Sequence, residues 1–207
     1  MIDLAGFALA VLLVELTPGP NMGWLVTLTL SEGRRAGLGA ITGIALGLAA
    51  NAALSVLAAS LILAQGPALT QAVSVLAAAM MAWLAWEAWD VSGRDAGESS
   101  PTATPRQSSQ RHALAGFTIN LINPKSALFV ITVMPQFVPG GPPSFAQWLT
   151  MAATSVTIAT SIHLALVFGA ERARGVLMAK DRAQKVRRVL ALAMLGVGAW
   201  FLAKAFL

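Results

Sequence analysis

Two ionisable side chains lie inside apolar stretches, and each is close to an interruption that contains proline. Glu15 precedes the segment TPGPN at positions 17–21, and Lys125 directly follows Asn123-Pro124. A carboxylate or an ammonium is unfavourable inside a bilayer unless it is paired, hydrated or neutralised, so such residues usually face an interior path. We therefore expect both to point inward. Glu15 then either carries a proton or acts as a static partner of Lys125.

The two interruptions have a physical basis in proline. Proline removes a backbone donor and clashes with the preceding turn, so both sites should break or kink a helix. Freed backbone groups must then face protein or a water-filled cavity. Interrupted helices at matching places in two halves indicate a transport site, whereas simple structural kinks are the alternative. Polar side chains accompany the interruptions or lie in mid-span: Asn21, Asn51, Asn120 and Asn123.

The composition indicates a membrane protein. The chain has 207 residues, of which 57% are hydrophobic and 11% are charged, whereas a soluble domain has about 25% charged residues. A soluble enzyme and a disordered chain are therefore both disfavoured. The absence of cysteine excludes a thiolate metal site and a cysteine nucleophile, and two histidines disfavour a histidine metal centre. We predict no metal and no cofactor.

Six apolar stretches are long enough to cross a bilayer, which requires about 20 helical residues. The first is not a cleavable signal peptide, because it lacks a basic start and its apolar run is too long. The predicted fold is therefore an all-α, polytopic membrane protein. Its predicted spans are Leu4 to Leu30, Leu38 to Leu63, Ala68 to Trp89, Ala113 to Val138, Phe145 to Ala170, and Val189 to Phe206.

The basic residues are distributed unevenly among the loops. Twelve of the 14 lysines and arginines lie in the loops after the first, third and fifth spans. Cytoplasmic loops carry an excess of such residues, so these loops are predicted in the cytoplasm and both termini outside. The net charge of +5 thus indicates topology rather than nucleic-acid binding. The long basic loop after the fifth span is placed to contact anionic lipid headgroups.

A polar segment divides this single transmembrane domain into two halves. Residues 91–112 are rich in Ser, Pro, Thr and Gly, and they are predicted to form a cytoplasmic linker. Residues 1–90 and 113–207 then contain three spans each. An odd number of spans inserts the two halves with opposite orientation, which is the geometry of an inverted repeat.

Three glycines of the second span recur at intervals of four residues. Gly39, Gly43 and Gly47 therefore lie on one helical face. Small residues at this spacing allow two helix backbones to approach closely. The partner is predicted to be a helix of the same chain, with a homodimer as the alternative.

Four motifs together resemble those of the LysE/RhtB family of bacterial amino-acid exporters. The first two are LTPGPN at 16–21 and GRRAGL at 33–38. The others are NLINPKSALF at 120–129 and MPQFV at 134–138. The length and the span spacing agree as well, so the resemblance covers essentially the whole chain.

The resemblance implies an inner-membrane secondary exporter of amino acids or close derivatives, driven by the proton gradient without ATP. The implied translocation site combines the two interruptions with the polar side chains nearby. An acidic residue common in the fifth span of the family is absent, with Ala159 or Thr160 near its place. Glu15 and His163 are therefore the candidates for proton coupling. The predicted substrate-binding residues are Glu15, Thr17, Pro18, Gly19, Pro20, Asn21, Asn51, Asn120, Asn123, Pro124 and Lys125.

The predicted mechanism is alternating access around the two interruptions, with an amino acid bound between opposite charges. An intramembrane enzyme is disfavoured, because the chain lacks both a Gly-x-Ser-Gly motif and a His-Glu-x-x-His motif. Two other functions stay open at this point. The chain could be a substrate-binding membrane subunit that works with an energising partner, or a structural membrane protein without independent transport.

Overall fold

A computed structural model of the protein describes residues 1–17, 20–63, 67–89, 109–170 and 180–206. Pro18, Gly19 and most of the predicted linker lie outside these residues, as does the side chain of Pro20. The regular structure of the described residues is entirely helical. The α-helices are α1 (Leu4–Leu16), α2 (Pro20–Glu32), α3 (Arg34–Leu63), α4 (Pro67–Trp89), α5 (Ser109–Leu121), α6 (Pro124–Leu128), α7 (Phe145–Phe168) and α8 (Lys180–Phe206).

Two helices are long and apolar enough to cross a membrane by themselves. The 30 residues of α3 extend about 45 Å and the 24 residues of α7 about 36 Å, against a hydrocarbon core of roughly 30 Å. Helices α4 and α8 contain shorter apolar stretches, Gln71–Trp83 and Arg188–Ala203.

Two bent helix pairs reach membrane-spanning length only when their parts are taken together. We call Leu4–Leu16 with Asn21–Glu32 the first bent pair; its axes differ by 59°. We call Ser109–Leu121 with Pro124–Phe137 the second bent pair; its axes differ by 45°. By length and composition the described residues thus contain two spans, or four if each bent pair is one span, where the sequence predicts six.

The second bent pair ends in two irregular turns. After α6 the chain forms a π-helical turn, Phe129–Val133, and then a 3₁₀ turn, Met134–Phe137. Such turns often occur at functional sites or where a helix is under local constraint. The backbone N–H of Asp3 donates to the Phe137 carbonyl over 2.8 Å, so this end is bound to the start of α1.

Two helices begin earlier than the hydropathy pattern indicates. Helix α5 begins at Ser109, inside the predicted linker 91–112, and α8 begins at Lys180, nine residues before the predicted start of the sixth span. Hydropathy marks only the part of a helix that suits lipid. The backbone hydrogen bonds of a helix continue into the headgroup region, where polar side chains are no obstacle.

The glycines of α3 pack against α5. A Cβ atom added at Gly39, Gly43 or Gly47 would collide with atoms of α5. The closest approach would be between a Cβ at Gly43 and the backbone of Ala113. A Cβ atom added at Gly116 of α5 would likewise come too close to the backbone of α3, at the Ala40 carbonyl. The prediction of tight packing within one chain is therefore confirmed. The structure contains one chain, and the homodimer alternative stays a prediction.

An aromatic cluster contains four buried rings of the hydrophobic core and one exposed ring, that of Trp200. Its ring centroids are 5.3 to 6.3 Å apart, and its members are Phe7, Phe129, Phe137, Trp200 and Phe201. These rings join α1, the turns after α6, and α8. Many leucines are exposed on the outer surface, including Leu54, Leu57 and Leu61 of α3. An apolar surface of this extent is typical of a face in contact with lipid.

Candidate functional site

A cavity of about 630 Å³ lies between the two bent pairs and helices α3, α4 and α7. Eight of the predicted site residues line it: Glu15, Thr17, Asn21, Asn120, Asn123, Pro124, Lys125 and His163. These side chains come from both halves of the chain. The structure therefore brings the polar residues of the two interruptions to one place.

The start of α6 is fixed by the residue before its proline. Asn123 caps the helix, since its side-chain Oδ1 accepts hydrogen bonds from the N–H groups of Lys125 (3.0 Å) and Ser126 (3.4 Å). Pro124 follows at the first helical position, where its missing N–H needs no partner. The backbone of Lys125 is therefore held in a defined position beside the cavity.

Asn51 of α3 supports the same interruption from behind. Its Nδ2 donates to the carbonyl oxygens of Leu121 (2.9 Å) and Asn123 (3.1 Å). The side chain is only 4% exposed and is not among the residues that line the cavity. The sequence predicted Asn51 as a substrate-binding residue, whereas its contacts assign it to positioning the second interruption.

A pair of asparagines joins the two bent pairs. Nδ2 of Asn21 donates to Oδ1 of Asn120 over 3.3 Å, and Nδ2 of Asn120 donates to the Gly116 carbonyl over 3.0 Å. Asn120 is buried and Asn21 is half-buried. The interface between the bent pairs is therefore polar where it borders the cavity.

The two opposite charges come from different bent pairs. Glu15 lies on α1 and Lys125 on α6; both are half-buried, and both line the cavity. The arrangement is compatible with either predicted role of Glu15, as a proton carrier or as a static partner.

His163 enters the cavity from α7. Its side chain is 4% exposed, and its Nδ1 is buried without a hydrogen-bond partner among the residues that the structure describes. By contrast, the hydroxyl of Thr17, which lines the same cavity, donates to the Leu13 carbonyl over 2.7 Å.

Comparison with known proteins identifies the family. The model of the LysE type translocator family matches residues 12–205. The chain belongs to this family. A family of membrane translocators indicates a transporter and not an enzyme, and the homologue named below as an efflux protein agrees with export of amino-acid-type compounds.

Three relatives illustrate how far the similarity of this translocator extends. An uncharacterised membrane protein of Vibrio cholerae is 31% identical over 153 residues, or 73% of each chain. A homoserine/homoserine lactone efflux protein of Salmonella typhimurium is 25% identical over 146 residues, covering 70% of this chain and 69% of that protein. The uncharacterised membrane protein YrhP of Bacillus subtilis is 25% identical over 202 residues, covering 94% and 95%. No solved structure shows significant similarity to the chain.

The translocator also lines its cavity with apolar side chains that sequence reasoning did not select. They include Met22, Trp24, Trp83, Phe129 and Met134. In a chain that is 57% hydrophobic, an apolar residue beside a cavity carries no distinguishing mark. Only the packing of the helices shows which of them face inward.

A second side-chain contact joins the two bent pairs of the translocator. It lies at the end of the first pair and the start of the second, away from the contact between Asp3 and Phe137. Nε2 of His112, near the start of α5, is 3.1 Å from Oε2 of Glu32, at the end of α2. The other carboxylate oxygen of Glu32 is buried without a partner among the described residues. Sequence reasoning missed this contact, because its partners are 80 positions apart.

Proposed function

We propose that the protein exports an amino acid or a close derivative across the bacterial inner membrane by alternating access, driven by the proton gradient. One observation carries the proposal. A single cavity contains a carboxylate and an ammonium, and each comes from a different bent helix pair. A zwitterionic amino acid matches such a pair of opposite charges. Relative movement of the two pairs would bind and release it.

The proposed architecture has six spans in two inverted units, residues 1–90 and 113–207, joined by the cytoplasmic linker 91–112. The packing supports this arrangement. Helix α3 packs against the second bent pair, and α7 packs against the first. This exchange is what an inverted repeat predicts, since α3 and α7 are then equivalent helices. The proposed topology keeps both termini outside.

The substrate is proposed to bind by its two charged groups. Lys125 binds the carboxylate and Glu15 binds the ammonium, while Thr17, Asn21, Asn120 and Asn123 complete the polar part of the wall. Pro18, Gly19 and Pro20 are proposed to contribute through the interruption that they form. Asn51 acts from behind the wall, by holding the second interruption in place.

Proton coupling is assigned first to Glu15, with His163 as the second candidate. A proton that reaches Glu15 from outside neutralises the carboxylate, so the attraction for the substrate ammonium is lost. Release then follows on the side from which the proton came. This sequence of events exchanges a proton for an amino acid.

The relative from Salmonella typhimurium suggests which compounds to test first. It is named for the efflux of homoserine and homoserine lactone. Homoserine is a zwitterion with a neutral, polar side chain, and the proposed charge pair would bind its two charged groups. We therefore place homoserine at the head of the substrate panel.

Counterflow in proteoliposomes tests the proposal. The panel consists of labelled amino acids, with and without an imposed proton gradient. We expect gradient-stimulated flux of one compound class, a loss of at least tenfold in the Lys125→Ala variant, and no loss in Lys185→Ala, which removes an exposed lysine of α8. Absence of flux for every compound with correctly inserted protein would overturn the exporter assignment.

The Glu15→Gln variant separates transport from coupling. If Glu15 carries the proton, exchange without a gradient continues in the variant, but an imposed gradient no longer stimulates it. Full gradient stimulation in Glu15→Gln would contradict the coupling role and leave the export function intact.

A further inference from the structure

His163 lines the same cavity as the proposed charge pair, but it comes from a different helix, α7. Ser155 and His163 both line the cavity and both lie on α7, eight residues apart. At a rise of 1.5 Å per residue, the cavity extends about 12 Å along this helix. An amino acid held at its charged groups therefore has room to extend its side chain along α7.

The imidazole differs from the neighbouring polar groups in one respect. Asn21, Asn120 and Thr17 each donate a hydrogen bond to another group of the chain. His163 is 96% buried, and its Nδ1 has no partner in the described part of the protein. An unpaired polar atom in such a place is unfavourable and calls for an explanation. Since the ring borders the cavity, the cavity is the place from which the missing partner can come.

The chemistry of the surroundings limits what that partner is. The residues before and after His163 by one turn, Ala159 and Val167, are apolar and fully buried. The charged side chains that line the cavity are Glu15 and Lys125, and the proposed function assigns both to the substrate's ammonium and carboxylate. An uncharged imidazole has one donor and one acceptor nitrogen, and it suits a neutral polar group such as a hydroxyl or a carbonyl.

Building on the proposed function, we propose that His163 is a specificity-determining residue that hydrogen-bonds a neutral polar group in the substrate's side chain. The preferred substrates are then amino acids that carry a hydroxyl, an ester or an amide on the side chain. Amino acids of the same size with a purely apolar side chain bind less well, because they leave the imidazole unpaired.

The test compares homoserine with norvaline, in which a methyl group replaces the hydroxyl. Counterflow of both compounds is measured for the wild type, His163→Leu, His163→Asn and His163→Gln. The two amides place a hydrogen-bonding nitrogen near the positions of Nδ1 and Nε2, and neither amide titrates. We expect the wild type to favour homoserine, His163→Leu to lose roughly tenfold in the homoserine-to-norvaline ratio while it still transports norvaline, and at least one amide to keep the ratio.

Each of the other outcomes contradicts either this inference or the proposed function. An unchanged ratio in His163→Leu would mean that Nδ1 is satisfied by water or is structural, and the inference would fail. Loss of gradient stimulation for both compounds in all three variants, with the ratio unchanged, would assign His163 to proton coupling instead. If His163→Leu is inactive, an amide variant that transports both compounds equally overturns the inference. No flux of any compound in the wild type would reject the proposed function itself.

Discussion

The two bent helix pairs are held in different ways. In the second pair, a side chain from another helix, Asn51 of α3, donates to two carbonyl groups at the bend, and Asn123 caps the following helix. In the first pair, the hydroxyl of Thr17 returns to a carbonyl of its own helix, α1, and Asn21, on the other side of the bend, donates to Asn120 of the second pair. The second bend is therefore built into the surrounding packing.

The contact between the two bent pairs also rests on a residue that is anchored within the second pair. Asn21 of the first pair donates to Asn120 of the second, and Asn120 is itself anchored to Gly116. This difference between the bends indicates which of the two bent pairs is held more firmly by its surroundings. Lys125 belongs to the supported bend and Glu15 to the other. If transport proceeds by the proposed alternating access, we expect α1 and α2 to move relative to α5 and α6.

The largest effect is expected at the interface that supports the second bend. Leucine at Gly43 would force its side chain into the backbone of Ala113, so α3 and α5 would have to separate. The Gly43→Leu variant should lose more than about 3 kcal/mol and should not yield a monodisperse protein in detergent. Size-exclusion chromatography measures this directly.

Gly196→Leu is the matched control for that substitution. Gly196 lies in α8, and an added Cβ there has no atom within 4 Å among the described residues. We expect this variant to fold normally. A well-folded Gly43→Leu protein would mean that the second bend does not depend on close contact between α3 and α5.

A smaller effect is expected when the second bend loses the hydrogen bonds that it accepts from Asn51. Asn51→Leu keeps the volume but leaves the Leu121 carbonyl without its donor, at a cost of about 2 kcal/mol in the free energy of unfolding. Thermal unfolding in detergent gives the stability, and counterflow gives the apparent KM. We expect KM to rise as well, because Asn51 positions the segment that carries Lys125.

Ser60→Ala controls for a lost side-chain hydrogen bond on the same helix. The hydroxyl of Ser60 is exposed and donates to the Val56 carbonyl, one turn earlier in α3. Neither stability nor KM should change measurably in this variant. Equal behaviour of Asn51→Leu and Ser60→Ala would remove the distinction between the two bends.

The smallest effect is expected at the first bend. Thr17→Val removes a hydroxyl that donates to the carbonyl four residues earlier, a bond that contributes little to helix stability. We expect thermal unfolding in detergent to show a change under about 0.5 kcal/mol in the free energy of unfolding. A loss comparable to that of Asn51→Leu would show that the first bend, too, depends on a specific side chain.

Local sequence features predicted what local physics determines. Proline chemistry predicted the interruptions at which the two helix pairs bend, and the four-residue spacing of Gly39, Gly43 and Gly47 predicted a close helix contact. The assignment of the loops from the charge distribution stays a prediction. Each of these inferences uses only residues near one another in the chain. The cavity residues on either side of the bends were found for the same reason.

Contacts between distant segments could not be predicted in this way. Asn51 was expected in the binding site, but the rotation of α3 directs it to the carbonyl groups behind the wall. The contact of His112 with Glu32 and the cavity-lining positions of Trp24 and Trp83 were not foreseen. A membrane helix is apolar on every side, so its pattern does not show which face turns toward its neighbours.

The packing between the halves of the chain has a consequence for how the protein could be assembled. Helix α3 of the first half lies along α5 of the second, and α4 lies along α8, so the most extensive helix contacts join one half to the other. The peptide connection between the halves is therefore not what holds them together. Two separately translated polypeptides, 1–98 and 99–207, should recognise each other in the membrane and restore transport. An ancestor made of two short proteins, later joined into one gene, would have needed no new interface.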